Sequence, residues 1–540
     1  MSPYVGGSIT IAHPGPDVLA LMSPVPGKKP LRINILVRKY PGGQLSTTLN
    51  IQARQVVAET GEVGINLVND EALVQDYSPS APINYATSQG SVRSICQAVL
   101  TKALGASTSV ALASGPDTSF TTYQDVQNMI PGGSFEVSSG VWVSARADLS
   151  ISTYGAQQGS YSLRIQPNNT GAAYAILPVS LSVGQQYTMT AYIRIGTAPT
   201  GSLDGDSRRL RAVATVNGVE IIIARSNQAP NVANTTTKLT MTFTVPAGSD
   251  NTQVRLMNGA TNSADNSVYF DSVMLVEGNG LDTNGTALAY FDGNTADTAA
   301  YNYDWDDVAG LSTSTRTALI DRSPDALIWQ PGTNGIAFLQ PILQATGRRL
   351  FQDLNGTWNL ADNNYRVSGQ TRIGYGYGLY GVTDLVSRTA TQTDGLPLFA
   401  DAVILNYAWT ESGTGKEKTA RDVAGPSTYT KAYMPETIQA PYPGPGRAAY
   451  MLSRLKARQR QLQVVGATYY LTRPGQEAVI TTVDGGVQTG YVDAVIWDIG
   501  ADSMEVITKS LMAVLPGSVG NSPTGQTIGS VTGTITDYVN

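Results

Sequence analysis

The chain has 540 residues, of which 35 are Lys or Arg, 41 are Asp or Glu, one is His and one is Cys. Charged residues make up 14% of it, against roughly 25% in an ordinary soluble protein. His13 and Cys96 alone cannot supply the ligands of a zinc or iron–sulfur site. One cysteine excludes an intramolecular disulfide, and a net charge of −6 argues against a surface that binds duplex DNA.

The length corresponds to roughly three to four domains. The N-terminal sequence lacks the basic start and apolar stretch of a secretory signal. No apolar run approaches the roughly 20 residues of a membrane span, so we expect a soluble protein made in the cytoplasm. Tyr outnumbers Phe by 27 to 8, and Thr, Ser, Asn and Gly are abundant. This composition favours many short strands over helices, and we predict a mainly β fold with a few helices.

Residues 1–114 form the first predicted domain, which is rich in strands. Apolar residues recur at helical spacing over 91–104, and Gly105 follows at the position of a helix stop. Cys96 lies on the apolar face of this helix and is expected in the core. Residues 115–131 show no clear period and are predicted to be a linker. Strand-like stretches precede the helix at 8–12, 31–38 and 45–54.

Residues 132–278 are predicted to be entirely β. Apolar and polar residues alternate over 187–195 and again over 239–245, which is the pattern of half-buried strands. Turn-forming clusters separate these strands, and no long helix is visible. A sandwich of two sheets is the natural way to pack them.

This middle segment resembles the jelly-roll carbohydrate-binding modules of the four/nine type. The matching pieces occur in the order of that family, at 133–136, 159–164, 183–194, 242–246 and 268–277. The resemblance implies a β-sandwich jelly roll. It also implies a structural calcium that joins the opening strand to the last one, at positions that correspond here to Glu136 and Asp271.

A glycan site in such a module would use aromatic faces for stacking on sugar rings, with polar neighbours to bind hydroxyl groups. Tyr187 is in the apolar register and is expected in the core. Tyr192 and Arg194 share the opposite face of the same strand. We therefore name Trp142, Tyr192 and Arg194 as candidate glycan-binding residues, although ordinary cross-strand packing would explain a Tyr at such a position equally well.

Residues 279–316 are predicted to be a bridge, and 317–514 a further β-rich region with one helix over 446–460. Five Arg and Lys side chains make the polar side of that helix basic, which indicates a solvated face or contact with an acidic partner. The last residues, 515–540, are rich in Gly, Ser, Thr and Pro and are expected to form a flexible tail. Strands are predicted after the helix at 463–471, 477–483, 488–497 and 503–509.

Gly and Tyr alternate over 374–380, which indicates a strand with close backbone approach on one side rather than a phosphate loop. Tyr-rich faces are common at subunit contacts. Together with the basic helix, this pattern defines a predicted assembly interface, with the candidate residues Arg454, Arg458, Arg460, Tyr375 and Tyr377.

The bridge resembles an element of minor tail proteins of long-tailed actinobacterial phages, read here as 290–293, Tyr301, Tyr303, Trp305 and 312–314. The two flanking regions resemble the halves of a phage tail hub, the trimeric ring that caps the tail tube. The resemblance implies a hub with β-barrel domains, split by an inserted jelly roll.

These resemblances predict a virion protein at the distal end of the tail, assembled in the host cytoplasm. Its expected partners are its own copies in a ring homo-oligomer, the distal tail protein, the tape measure, other tail-tip proteins and a host-surface glycan. The sequence singles out no catalytic pair of carboxylates, so we do not expect an enzyme. Three alternatives remain: a distal tail adaptor of the same tail, a glycan-binding adhesin without a hub role, and a secreted glycosidase accessory.

Overall fold

The fold is mainly β, as the composition predicts. Strands account for 44% of the described residues and helices for 12%. Five α-helices lie in the described part: α1 (Pro16–Leu21), α2 (Asp70–Asp76), α3 (Val92–Leu104), α4 (Gly335–Ala345) and α5 (Arg447–Ala457). The computed structural model describes residues 5–12, 14–23, 25, 28–40, 42–197, 206–259, 266–374, 378–389, 391, 396–412, 415–483 and 485–514. The predicted tail at 515–540 lies outside them.

The chain divides into two compact units. The first contains Met1–Thr121, Ala326–Trp409 and Thr419–Asn540, and the second contains Thr122–Asp325 and Thr410–Lys418. The chain therefore leaves the first unit twice, first for most of the second unit and then for the short segment Thr410–Lys418.

The strands follow the two units in chain order. The first unit begins with β1 (Gly6–Ala12), β2 (Arg32–Lys39), β3 (Gly43–Val57), β4 (Glu62–Val68), β5 (Ile83–Asn84) and β6 (Val110–Leu112). The second unit contains β7 (Val126–Asn128), β8 (Val143–Ala145), β9 (Ala147–Ser152), β10 (Ser162–Pro167), β11 (Tyr174–Val179), β12 (Gln186–Ile195), β13 (Arg209–Val216), β14 (Val219–Arg225), β15 (Thr236–Thr244), β16 (Ser249–Met257), β17 (Val268–Glu277), β18 (Tyr301–Trp305) and β19 (Ser314–Ala318). The remaining strands are β20 (Ile328–Trp329), β21 (Arg349–Gln352), β22 (Trp358–Ala361), β23 (Gln370–Gly374), β24 (Leu379–Val386), β25 (Ala402–Thr410), β26 (Glu417–Ala424), β27 (Ala432–Tyr433), β28 (Arg460–Ala467), β29 (Glu477–Thr481), β30 (Val487–Asp498) and β31 (Ser503–Val514).

Two layers of sheet form the body of the second unit. Their strand orders are β15-β12-β17-β10-β9 and β14-β13-β16-β11-β8. The two sheets share one apolar core, which contains Leu163, Ile193 and Phe270 from the first and Leu210 and Leu256 from the second. The predicted β-sandwich is thus the observed one, because the alternation along each strand gives each sheet one apolar face.

The predicted linker and bridge meet in a third sheet of the second unit. Its order is β18-β19-β7, and β7 comes from the segment that we predicted to be a linker. Phe120 and Ile130 of that segment are completely buried. The predicted linker does contain the boundary between the two units, at Thr121 and Thr122, but it contributes a strand and core residues. A strand of three residues is too short to show a period of its own, and its partners lie more than 170 residues further along the chain.

The first unit contains the largest sheet, of order β23-β29-β30-β31-β28-β24. Its core includes Ile373, Val464, Ile480, Val492 and Val506, one from each of five of its strands. An isolated bridge between Gly374 and Gly378 brings the ends of its two edge strands together.

The helix α3 of this unit follows the sequence prediction closely. Ser91 is its N-cap, and the Ser91 side chain accepts a hydrogen bond from the Ser94 N–H. Gly105 ends it in the left-handed conformation at φ 62°, which glycine adopts without steric cost. Cys96 is completely buried, and burial raises the pKa of its thiol far above the ordinary value.

The basic helix α5 is shorter than predicted. It ends at Ala457, Arg458 is its C-cap, and Arg460 already belongs to β28. Among the helices of the described residues, none is both long and apolar enough to span a membrane.

Candidate functional site

The outer face of the first sandwich sheet carries a row of polar and aromatic residues that runs across five strands. On β10, β17 and β12, core residues alternate with residues that point the other way. The strand register aligns one outward-pointing residue from each of the five strands in a row across the sheet: Ser150, Arg164, Tyr269, Arg194 and Thr236. We call this set the tyrosine–arginine row.

A second tyrosine lies against this row. Tyr154, in the connection between β9 and β10, packs edge-on against Tyr269 with ring centroids 4.8 Å apart. The Arg194 guanidinium lies 4.7 Å from the Tyr154 ring centroid, a favourable cation–π distance. Gly155 has φ 95°, and a Cβ there would lie 2.8 Å from Cβ of Tyr269. The close approach of the loop to Tyr269 therefore requires a glycine at this position.

The two arginines of the row keep hydrogen-bonding capacity. Arg164 Nε donates to Ser267 Oγ at 3.1 Å, and Arg194 Nη1 donates to Thr236 Oγ1 at 3.4 Å. The Arg194 Nε is buried and has no hydrogen-bond partner within the described residues. Within the part of the chain that the structure describes, neither Arg164 nor Arg194 forms an ion pair. Because a guanidinium has five N–H groups, donors remain available beside two half-buried aromatic rings.

The outer face of the second sheet also carries charges, but they are paired with one another. Arg255 binds Glu220 through both Nη atoms, at 3.0 and 2.5 Å. Arg211 and Arg225 both pair with Asp206. These guanidinium groups already face carboxylates, whereas neither arginine of the tyrosine–arginine row forms an ion pair within the described residues.

The predicted glycan residues are not gathered at one place. Arg194 belongs to the row, and half-buried Tyr192 lies two residues before it on the same face, opposite Lys238, whose ammonium is 6.0 Å from the ring centroid. Trp142 is only 6% exposed and belongs to the sandwich core. Our prediction that Trp142 stacks on a sugar is therefore corrected, because a core indole presents no open ring face.

Glu136, the first predicted calcium ligand, holds the loop between β9 and β10. Its carboxylate accepts hydrogen bonds from the N–H groups of Ser160 and Tyr161 at 2.8 to 3.0 Å. Gly159 has φ 68°, and a Cβ there would lie 2.4 Å from the Glu136 carboxyl carbon. The loop backbone thus closes directly on this carboxylate.

Asp271, the second predicted ligand, is completely buried. Its Oδ2 accepts the N–H groups of Gln157 and Gln158, and its Oδ1 accepts the N–H of Ser272. The pKa of Asp271 is raised to about 6. Burial is the main cause, the three N–H hydrogen bonds oppose it, and the negative charge of Glu136 adds to it.

The predicted calcium site does not fit this arrangement. The contacts of both carboxylates are N–H donors, which anchor a loop but do not coordinate a cation. Within the described residues, no group of three or more His, Cys, Asp or Glu side chains could hold a metal. Glu136 and Asp271 instead fasten the loop that carries Tyr154.

The predicted assembly residues separate into two places. Arg458 pairs with Asp493 at 2.9 Å, and Arg454 Nη1 donates to the Tyr450 hydroxyl at 3.3 Å. Arg460 instead pairs with Asp384 at 2.6 Å on β24. Tyr375 and Tyr377 lie outside the described residues.

Sequence reasoning missed Arg164 and Tyr269 of the row. Each lies on a strand that alternates apolar and polar residues, so its outward direction was readable from the sequence. Their alignment with Arg194 depends on the pairing of strands that are up to about 100 residues apart, and no local pattern records that pairing.

No protein-family model matches this chain, and a search of curated proteins finds no match either. Among solved structures, it is similar to a family 16 carbohydrate-binding module, with 19% identity over 28% of this chain and 100% of that one, at a TM-score of 0.22. A xylan-binding domain from family 22 shares 18% identity over 30% and 98%, at 0.23. The CBM22-1 xylan-binding domain from Paenibacillus barcinonensis Xyn10C shares 15% over 31% and 98%, at 0.22. With identities and TM-scores this low, we base no functional assignment on them.

Proposed function

We propose that this protein is a structural component of the distal tail of a long-tailed phage, and that its sandwich unit binds a host-surface glycan. The observation that carries the glycan part is the tyrosine–arginine row with Tyr154 beside it. Aromatic rings stack on sugar rings, and guanidinium N–H groups donate to sugar hydroxyls. The row combines both within one sheet face.

Charge and burial support this choice of face. The guanidinium of Arg194 lies over the ring of Tyr154, and no carboxylate of the described residues forms an ion pair with it. A buried donor without a partner costs about 1–3 kcal/mol.

The tail role rests on the resemblance of residues 290–314 to minor tail proteins and of the flanking regions to the halves of a tail hub. The division into units is compatible with this proposal, since a nearly continuous insertion, Thr122–Asp325, folds around its own core. Such a unit can acquire a binding function without altering the unit that accommodates it.

Binding of the full-length chain to purified host cell-wall polysaccharide tests the glycan proposal. Arg194→Ala and Tyr154→Ala should each weaken binding about 10- to 100-fold, since a hydrogen bond to a charged group contributes about 1.5–3 kcal/mol. Tyr174→Ala is the matched control, because Tyr174 lies on the other sheet with Arg255 5.2 Å from its ring centroid. Equal loss in the control, or no loss in the two variants, would contradict the assignment of this face.

Native mass spectrometry of the full-length chain tests the tail role. We expect a homotrimer, as the hub resemblance implies. A sixfold ring would favour the distal tail adaptor instead. A monomer that binds glycan would favour an adhesin without a hub role.

A further inference from the structure

The sheet face that carries the tyrosine–arginine row has three cationic side chains. Arg164 on β10 and Arg194 on β12 lie directly opposite Tyr269, on the strand between them. Lys238 lies on the neighbouring strand β15, in register with Tyr192. Because adjacent strands are about 4.8 Å apart, the backbones of the two arginines are separated by roughly 10 Å, with Tyr269 in the middle.

The partners of these cations are uncharged. Arg164 Nε donates to Ser267 Oγ at 3.1 Å, and Arg194 Nη1 donates to Thr236 Oγ1 at 3.4 Å. The Lys238 ammonium lies 6.0 Å from the centroid of the tyrosine ring opposite it. Among the residues that the structure describes, no carboxylate forms an ion pair with any of the three. Their positive charges are therefore not paired.

The carboxylates of this face and of the loop that borders it are held by other donors. Asp271 accepts three backbone N–H groups, and Glu136 accepts two. Asp148, on the edge strand β9, accepts the side-chain N–H of Asn168 at 2.7 Å. These negative charges fix the backbone and one amide, so the cations keep N–H donors that a ligand can use.

The cations are also accessible. Lys238 is exposed, and Arg164 and Arg194 are half-buried, as is Tyr269 between them. A half-buried guanidinium interacts with an opposite charge more strongly than one in open water does, because the effective dielectric constant is lower there. An anionic ligand therefore gains more at this face than at a fully solvated surface.

We propose that this face binds an anionic glycan, whose carboxylate or phosphate groups contact Arg164, Arg194 and Lys238. The sugar rings of the same ligand lie against Tyr154 and Tyr269. The inference rests on the proposed glycan function and specifies its ligand class. Charge-assisted hydrogen bonds are roughly twice as strong as those between neutral groups, and a guanidinium can form two of them with one carboxylate or phosphate. A neutral glycan would leave the three charges unpaired.

Binding of the full-length chain to purified host cell-wall polysaccharide, before and after removal of its charges, tests the proposal. Carbodiimide-assisted reduction converts carboxylates into neutral alcohols, and aqueous hydrogen fluoride removes phosphodiesters. We expect one of the two treatments to weaken binding about tenfold or more, as the loss of charge-assisted hydrogen bonds predicts. Loss after reduction would identify a carboxylate, and loss after hydrogen fluoride a phosphate. Added salt should weaken binding of the untreated polysaccharide.

Variants of the cations provide the second arm. Arg164→Gln should weaken binding of the untreated polysaccharide about tenfold, and exposed Lys238→Gln at most about fivefold. Arg164→Lys keeps the charge and should retain more affinity than Arg164→Gln. The matched control is Arg225→Gln, because Arg225 is 44% exposed and pairs with Asp206 on the other sheet.

The failure of this inference differs from the failure of the proposed function. Polysaccharide that binds equally well before and after both treatments would overturn the anionic ligand but leave the glycan function in place. Equal losses in Arg164→Gln and Arg225→Gln would overturn it as well. Untreated polysaccharide that does not bind at all would contradict the proposed glycan function itself, and this inference with it.

Discussion

Replacing Asp493 by Asn removes the negative charge that pairs with Arg458 and Lys509 while keeping the shape of the side chain. The variant leaves Arg458 and Lys509 close together and partly buried, without the carboxylate that both contact at 2.9 Å. We therefore expect a large loss of stability, centred on β30 and β31.

The size of the loss follows from two opposing contributions. At 2.9 Å and an effective dielectric constant of about 20, each ion pair gains about 6 kcal/mol of Coulomb energy. Desolvation costs several kcal/mol for each buried ion, so the gross gain is not the net one. Removal of one partner from a buried pair typically costs about 3–5 kcal/mol, and we expect Asp493→Asn to destabilise the first unit by that amount.

The loss should depend on pH in a defined direction. Since the pKa of Asp493 lies below the ordinary range of a carboxyl group, the folded state favours its ionised form. Its stabilising contribution is present above the unfolded pKa, about 4, and disappears as the pH falls below it through the folded pKa. The difference between Asp493→Asn and the unmodified chain should therefore be largest near pH 7 and shrink in acid.

Urea unfolding monitored by hydrogen exchange of peptides from β30 and β31 measures this difference. Asp384→Asn is the control, because Asp384 pairs with Arg460 at 2.6 Å but is 44% exposed. A surface pair of this kind contributes at most about 1 kcal/mol. If Asp493→Asn costs no more than Asp384→Asn at pH 7, the electrostatic account of the Asp493 ion pairs is refuted.

Two further predictions concern packing and assembly. A Cβ at Gly133 would lie 2.1 Å from the Val273 carbonyl oxygen, so Gly133→Ala should destabilise the sandwich by about 1–3 kcal/mol in thermal unfolding; an unchanged melting temperature would show that the backbone yields there. In assembled tails, hydrogen exchange should be slow in residues 1–114 and 317–514 and faster in 132–278, since the hub-like regions are expected to contact other subunits. Equal protection of all three regions would count against the hub role.

Sequence patterns predict the parts of this fold that depend on local periodicity. The helix α3 has its N-cap, apolar stripe and terminal glycine within 15 residues, and all of them are readable in sequence. The strands β12 and β15 follow from simple alternation for the same reason. The helix α4 was missed, because Pro341 interrupts its pattern and normally ends a helix.

The features that depend on distant residues could not be predicted in this way. β7 becomes a strand only because β19 pairs with it. The tyrosine–arginine row requires the register of five strands, and the ion pairs of Asp493 join it to Arg458 and Lys509 on other elements. A single sequence records which side chains point outward, but not which of them meet.

Imaging of intact virions at a resolution that traces the chain tests the central claim most directly. We predict a closed ring of this protein at the distal end of the tail, with the tyrosine–arginine row accessible to a glycan. Virions that lack the protein, or that carry it away from the distal tail, would contradict the account.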